Sequence, residues 1–212
     1  ALVFQNVDGT NTTLQSVTIS NSAGTGLGAL ALAVNNASDI TGVRASYRVV
    51  TTGSAAVAAG DIRNLRINGI TVGDILNMKN SDADGTLVNS INAVTSQTGV
   101  YASVDIMGRL TLTSTDGRGI TVDIGSAGGT YADPGMLGIN IMSSVAGDAM
   151  TNSNYGRLTL TALSAKDILV SDANGSITQN LNSAGANSIL NLGSVRGNYT
   201  SSEGLAAGAY AN

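Results

Sequence analysis

The 212-residue chain contains no Cys, no His and no Trp, with one Pro and one Phe. Without His there is no imidazole base, no Ser-His-Asp triad and no histidine ligand for zinc. Without Cys there is no thiolate nucleophile, no iron–sulfur ligand set and no disulfide, and the usual clue to a redox compartment is missing too. Glu is almost absent: 13 Asp stand against the single Glu203, and Asp favours turns and caps where Glu favours helix interiors. Ten cations against 14 acids leave too little clustered positive charge for a phosphate backbone. Six Tyr and one Phe offer few stacking platforms for single strands, so no nucleic-acid partner is expected. No apolar run approaches the ~18 residues that cross a bilayer, so no membrane partner is expected either. No cofactor is implied, and the chain reads as a non-enzyme. It starts at Ala1 with no Met and no signal-peptide pattern, which reads as an excised piece of something longer.

Hydrophobic residues make up 42% of the chain but aromatics only 3%, so the core must be built from Ala, Val, Leu and Ile. Ser, Thr and Asn are abundant, at 23, 22 and 21. Short uncharged side chains in that quantity suit strands, tight turns and a hydroxyl-rich surface.

Two internal repeats organise the chain. Thr41-Gly42-Val43-Arg44-Ala45-Ser46 returns as Thr98-Gly99-Val100-Tyr101-Ala102-Ser103. The same spacing carries Leu30, Val34 and Ala37 onto Leu87, Ile91 and Val94, each set at i, i+4 and i+7 on one helical face. After the shared motif the residues alternate. Val43, Ala45, Tyr47 and Val49 in the first copy, and Val100, Ala102, Val104 and Ile106 in the second, are expected to face inward. Upstream, Leu2–Val7 and Leu14–Ser20 flank Asp8-Gly9, and Leu65–Ile67 and Ile70–Ile75 flank Asn68-Gly69. Both pairs predict hairpins, because Asn-Gly and Asp-Gly take the positive φ of a tight turn. The unit is ββαβ, present twice. In the second repeat, Gly108-Arg109-Leu110-Thr111-Leu112-Thr113 returns as Gly156-Arg157-Leu158-Thr159-Leu160-Thr161. Each copy predicts a hairpin with one apolar and one hydroxyl face, the first turning at Asp116-Gly117.

The small-residue stretch Thr51–Gly60 and the Gly/Ser/Ala-rich stretch Gly125–Gly156 read as connections. Met136, Leu137, Ile139 and Ile141 in the second suggest that it is packed. The expected fold is α+β, mainly β. Two modules are built from repeated ββαβ units and β-hairpins, with two short helices. Residues 1–52 with 150–212 form one module, and 53–149 a second inserted in it.

Four motifs invite chemistry. Gly24-Thr25-Gly26-Leu27-Gly28-Ala29 fits a dinucleotide phosphate turn. That fold needs an acid at the end of the next strand, and the first acid after Val50 is Asp61, so a flexible helix entry is the better reading. Asn80–Gly85 opens like a calcium loop, but its twelfth position is Ile91 where a bidentate Glu is required. Asp82 or Asp84 is instead expected to cap the following helix. Arg44, Arg48, Arg63 and Arg66 form either a basic patch or solvated arginines paired with scattered Asp. The many Asp single out no pair for glycosidase chemistry.

The order Ile67-Asn68-Gly69-Ile70, Asp82-Ala83-Asp84-Gly85, Leu87–Asn92, Thr98-Gly99-Val100, Gly108–Ser114 and Asp116–Ile120 resembles the insert motif of bacterial flagellins. Ser22–Gly26 with Thr41-Gly42-Val43 resembles a diverged earlier copy, and Asn154–Leu158 a later segment of their variable central region. The resemblance implies an extracellular structural subunit of the flagellar filament, represented here by its solvent-exposed outer domains without the helical polymerisation segments. Other flagellin subunits, the flagellar export apparatus and glycosylation enzymes would be its partners. On this basis residues 1–52 with 150–212 are the inner module and 53–149 the outer one, and Ala1 and Asn212 are expected to lie close together. The same resemblance implies O-glycosylation of surface Ser and Thr. The candidates are Ser164, Ser171, Ser176, Thr178, Ser183, Ser188, Ser194, Thr200, Ser201 and Ser202. Asp172–Ser176 also resembles an extended acceptor for bacterial N-linked glycans. The rival readings are a hook-associated or filament-cap domain, which shares the insert motif, and a carbohydrate-binding adhesin, which would need a concave site with exposed aromatics.

Overall fold

The computed structural model describes residues 1–124, 134–139, 150–164, 168–172, 192–196 and 199–200. The chain forms two compact units. Unit 1 comprises Ala1–Arg48 and Tyr155–Asn212, and unit 2 comprises Val49–Asn154. The architecture is mainly β with short helices, as expected.

In unit 1, β1 (Leu2–Gln5) and β2 (Asn11–Thr13) form a hairpin beside β12 (Val170–Asp172), in the order β12-β1-β2. Helix α1 (Gly26–Asn36) and the single turn α2 (Ser38–Thr41) lead into β3 (Val43–Arg48). A second sheet runs β14 (Tyr199–Thr200), β13 (Leu192–Arg196), β11 (Arg157–Ala162), β3. In unit 2 one sheet runs β10 (Met150–Asn154), β9 (Ile120–Ile124), β5 (Gly60–Ile67), β6 (Ile70–Met78). Helices α3 (Thr86–Asn92) and α4 (Thr95–Thr98) precede β7 (Val100–Val104). The other sheet runs β4 (Val50–Thr52), β8 (Leu110–Ser114), β7. No helix among the described residues is long and apolar enough to cross a membrane.

Local sequence accounts for most of these elements. Leu30 and Val34 of α1, and Leu87 and Ile91 of α3, are buried on the face their spacing predicts. Alternation in β8, β9 and β11 buries Leu110, Leu112, Ile120, Val122, Leu158 and Leu160 and leaves Thr111, Thr113, Thr121 and Thr159 half-exposed. Asn68 and Gly69, at φ +51° and +78°, form the expected tight turn of the β5–β6 hairpin. Phe4, the only phenylalanine, is fully buried. In the connections, Val57, Leu137 and Ile139 are buried, and the carbonyl of Gly138 accepts the Ser54 N–H at 2.7 Å.

Several expectations are corrected. Each predicted helix is followed by a second, one-turn helix, so the described residues hold four α-helical segments where two were expected. Gly42 and Gly99 close these extra turns in the left-handed conformation, at φ +68° and +69°, and return their N–H groups to Ser38 and Thr95. The strand expected over Leu14–Ser20 ends at Thr13. Its last rung is Leu14 N–H to Leu2 at 2.8 Å, after which the chain turns so that Thr18 accepts the Gly26 N–H at the start of α1.

The Asp116-Gly117 turn does not make a hairpin either: β8 and β9 belong to different sheets, as do β11 and β12. The corner is tied to the end of α4. Thr115 N–H donates to Gly99 at 2.9 Å, and Arg118 Nη1 donates to the Gln97 carbonyl at 3.2 Å. Leu163 N–H donates to Gly42 at 2.8 Å in the corresponding corner of unit 1. Tyr47 and Ile106, expected inside, are exposed. Ile106 lies beyond β7 in a turn, where strand alternation no longer applies.

Candidate functional surface

Thr111, Thr113 and Thr159 line the half-exposed positions of the Leu-Thr strands; the residues the resemblance marks for modification lie elsewhere in the chain. Ser164 is exposed, two residues beyond the end of β11. Ser171 is half-buried in β12, opposite Val3. Ser194 lies in β13 and Thr200 in β14. Ser176, Thr178, Ser183, Ser188, Ser201 and Ser202 fall outside the described residues, as do Asn174 of the N-glycan-like acceptor and the chain end Asn212. Ser164 and Ser171 sit on different elements of unit 1.

The two loops that resembled ligand sites are occupied by the protein's own backbone. Both carboxylate oxygens of buried Asp82 are used: Oδ1 accepts the Leu87 N–H at 2.8 Å and Oδ2 the Val88 N–H at 2.9 Å. Asp84 Oδ1 accepts the Thr86 N–H at 3.3 Å. These carboxylates cap α3, as expected, and the position a calcium-binding Glu would hold is the buried Ile91. At the glycine-rich entry of α1, Gly26 N–H is taken by Thr18, and Thr25 Oγ1 donates to the Ser22 carbonyl at 2.7 Å. No group of three or more acids gathers among the described residues in a way that could hold a metal ion.

Within unit 2, Arg63 and Arg66 are engaged by the protein's own groups. Arg63 lies 3.4 Å from both Asp61 and Asp74. Those carboxylates also hold two irregular points of the β5–β6 hairpin, where Asn64 and Asn77 have φ of +53° and +56°. Asp74 Oδ1 accepts the Asn64 N–H at 2.8 Å, and Asp61 Oδ1 the Asn77 N–H at 2.9 Å. Arg66 donates to the Gly69 carbonyl at 2.8 Å. Arg44 and Arg48 belong to the other unit.

Sequence reasoning missed the strongest electrostatic features. Arg118 is almost fully buried and clasps Asp116 through Nε at 2.8 Å and Nη2 at 2.6 Å. Burial of Asp116 acts to raise its pKa, but the hydrogen bonds and charge of Arg118 outweigh it and hold the carboxyl below its ordinary value. Arg109 donates from Nε to Asp105 at 2.8 Å and lies 2.7 Å away through Nη2. That side-chain bond is the main cause of a lowered Asp105 pKa. Asp-x-Arg and Asp-x-x-x-Arg spacings were visible, yet only the turn geometry reveals that they pair.

The model of the flagellin hook IN motif matches the chain in two segments, residues 1–61 and 64–116. The chain belongs to the flagellin family. It is 42% identical to flagellin A of Helicobacter felis over its whole length, which covers 42% of that relative. It is 43% identical to flagellin B of Helicobacter pylori, covering 40%, and 39% identical to flagellin A of Helicobacter mustelae, covering 45%. It therefore spans about two fifths of the length of the curated relatives it matches. Flagellins are structural filament proteins rather than enzymes.

Proposed function

We propose that this flagellin chain forms the solvent-facing part of an extracellular filament subunit, with the helical polymerisation segments lying elsewhere in the subunit. The observation that carries this reading is the two-segment family match laid over mainly-β units with no coiled-coil helix among the described residues. Unit 2 is reached in the chain only through unit 1. Unit 1 is then the inner module and unit 2 the outer one. Neighbouring flagellin subunits, the export apparatus and glycosylation enzymes are the partners, and the late Ser and Thr residues, Ser164 foremost by its exposure, are the modification sites.

The units are, in this reading, diverged copies of one ββαβ block. Ala45 faces Leu160 in β3–β11 as Ala102 faces Leu112 in β7–β8, and Phe4 faces Val170 as Ile67 faces Val122. These 212 residues contain no Cys, so Ile106→Cys in the parent flagellin adds the single thiol within them, and peptide mapping identifies a label at that position. Intact filaments should react with a bulky maleimide at that position. Filaments that react only after dissociation would reject the outer placement. Intact-mass measurement of natively produced protein tests the modification separately: excess mass in sugar multiples supports it, and the bare polypeptide mass rejects it.

A further inference from the structure

The exposed face of β3 and β11 in unit 1 carries positive charge with no acid beside it. Strand pairing sets Arg48 opposite Arg157, Ser46 opposite Thr159 and Arg44 opposite Thr161. Successive strand residues point to opposite faces, and α1 packs on the other face, where Val43, Leu158 and Leu160 are buried. Arg44, Ser46, Arg48, Arg157 and Thr161 are exposed, and Thr159 is half-buried. None of the ion pairs among the described residues involves Arg44, Arg48 or Arg157. On the far side of β11 the register places Gly193 and Val195 beside Thr159 and Thr161, so β13 adds no charge to these rungs.

The matching strands of unit 2 differ at one rung. There β7 and β8 set Tyr101 opposite Thr113 and Ser103 opposite Thr111, and the next rung outward joins Asp105 to Arg109 at 2.7 Å. The hydroxyl rung is common to both units, whereas the charged rung is neutralised in unit 2 and doubled in unit 1. Facing like charges destabilise a strand pair, so the fold gains nothing from setting Arg48 beside Arg157. Their geometry does suit an external anion. Facing Cβ atoms stand about 5 Å apart, which lets two guanidinium forks close on one planar carboxylate. Arg44 lies two rungs along the strand, roughly 13 Å away, and the Ser46 and Thr159 hydroxyls stand between. Charge, hydroxyl, charge along a flat ribbon complements a polymer whose carboxylates are spaced by hydroxyl-bearing sugar rings. A nucleic acid fits poorly, because three cations and no aromatic ring on these rungs supply neither enough charge nor stacking.

We propose that the β3–β11 face of unit 1 is a docking surface for a linear carboxylated polysaccharide of the polyuronate class. Arg48 and Arg157 clamp one carboxylate, Arg44 meets a second, and Ser46, Thr159 and Thr161 bond sugar hydroxyls beside them. The proposal rests on register and charge in unit 1 and not on the filament role. It is tested on the monomeric parent flagellin by titrating polygalacturonate at low ionic strength, with polyglutamate, polyphosphate and neutral dextran as comparison polymers. The parent should bind polygalacturonate in preference to all of these and release it at about 1 M salt, where surface charges are screened. Arg48→Gln and Arg157→Gln should each weaken binding about tenfold, the worth of one charge-assisted contact. Their unfolding midpoints should not drop, because a facing like charge has been removed. Arg63→Gln in unit 2, where Arg63 already lies against Asp61 and Asp74, should bind as the parent does. Absence of binding by the parent, unchanged binding in both unit 1 variants, or a weakening seen only with a lowered midpoint would each overturn the proposal. So would an equal loss in Arg63→Gln or equal binding of any comparison polymer.

Discussion

Asn92 and Ala102 exchange two hydrogen bonds: Ala102 N–H donates to Asn92 Oδ1 at 2.7 Å, and Asn92 Nδ2 donates to the Ala102 carbonyl at 2.9 Å. Asn35 and Ala45 do the same in unit 1, at 2.8 and 2.9 Å. Both alanines lie on edge strands, β7 and β3. Each carboxamide mimics a missing neighbouring strand and shields an edge that could otherwise pair with another chain. Replacing Asn92 by Ala should cost about 1–3 kcal/mol, because a half-buried donor and acceptor lose their partners. Asn35→Ala, at an exposed site, should cost less, and both variants should scatter more light on heating. Wild-type stability and scattering in Asn92→Ala would remove the edge-shielding account.

Acid stability should depend on Asp105 and Asp116. Arg109 bonding lowers the first, and Arg118 lowers the second against the opposing effect of burial. A carboxyl with a folded pKa below its unfolded value of about 3.9 contributes stability above that pH. The contribution is lost as pH falls through the depressed folded value. Asp105→Asn and Asp116→Asn should therefore lose stability at pH 7 and show a shallower decline between pH 4 and pH 2. Urea midpoints across that range check it, and an unchanged acid slope in both variants would contradict it.

Arg48 and Arg157 stand directly opposite each other where unit 2 places Asp105 and Arg109. Like charges at facing positions destabilise a strand pair. Arg48→Asp should stabilise unit 1 by roughly 0.5–1 kcal/mol at low salt, with most of the gain lost at 1 M salt. Thermal midpoints at both ionic strengths measure it. A salt-independent change, or none, argues against facing charges.

Two glycines separate backbone strain from crowding. Gly69 has φ +78° and open space where a Cβ would go. Gly99 has φ +69°, and a Cβ there would lie 2.5 Å from Arg118 Nε. Gly69→Ala should cost about 1 kcal/mol from conformation alone. Gly99→Ala should cost more and also release Arg118, so that it flattens the acid response in the manner of Asp116→Asn. Equal costs would show that Arg118 yields freely.

Much of this arrangement was readable before any coordinates. The buried faces at Leu30/Val34 and Leu87/Ile91 follow from helical spacing, the Leu-Thr faces from strand alternation, and the Asp82 cap from a carboxylate before an apolar run. The misses share a cause. Asp116-Gly117 has the composition of a hairpin turn, but Arg118 binds the end of α4 and sends the chain into another sheet. Asn35 and Asn92 were two among 21 asparagines, with nothing nearby in the chain to show that each faces a strand edge ten residues on. Ser164 could be named as a surface hydroxyl, though its place just past β11 could not.

Sequence alone determined the buried faces of α1 and α3, the Leu-Thr strand faces and the Asn68-Gly69 turn, because periodicity and φ preference act over a few residues. Only tertiary structure decided that β3 pairs with β11 across the whole of unit 2, and that this sets Arg48 opposite Arg157. Strand partnership is a hydrogen-bonding contract between residues far apart in the chain, and Arg48 carries no local mark of Arg157.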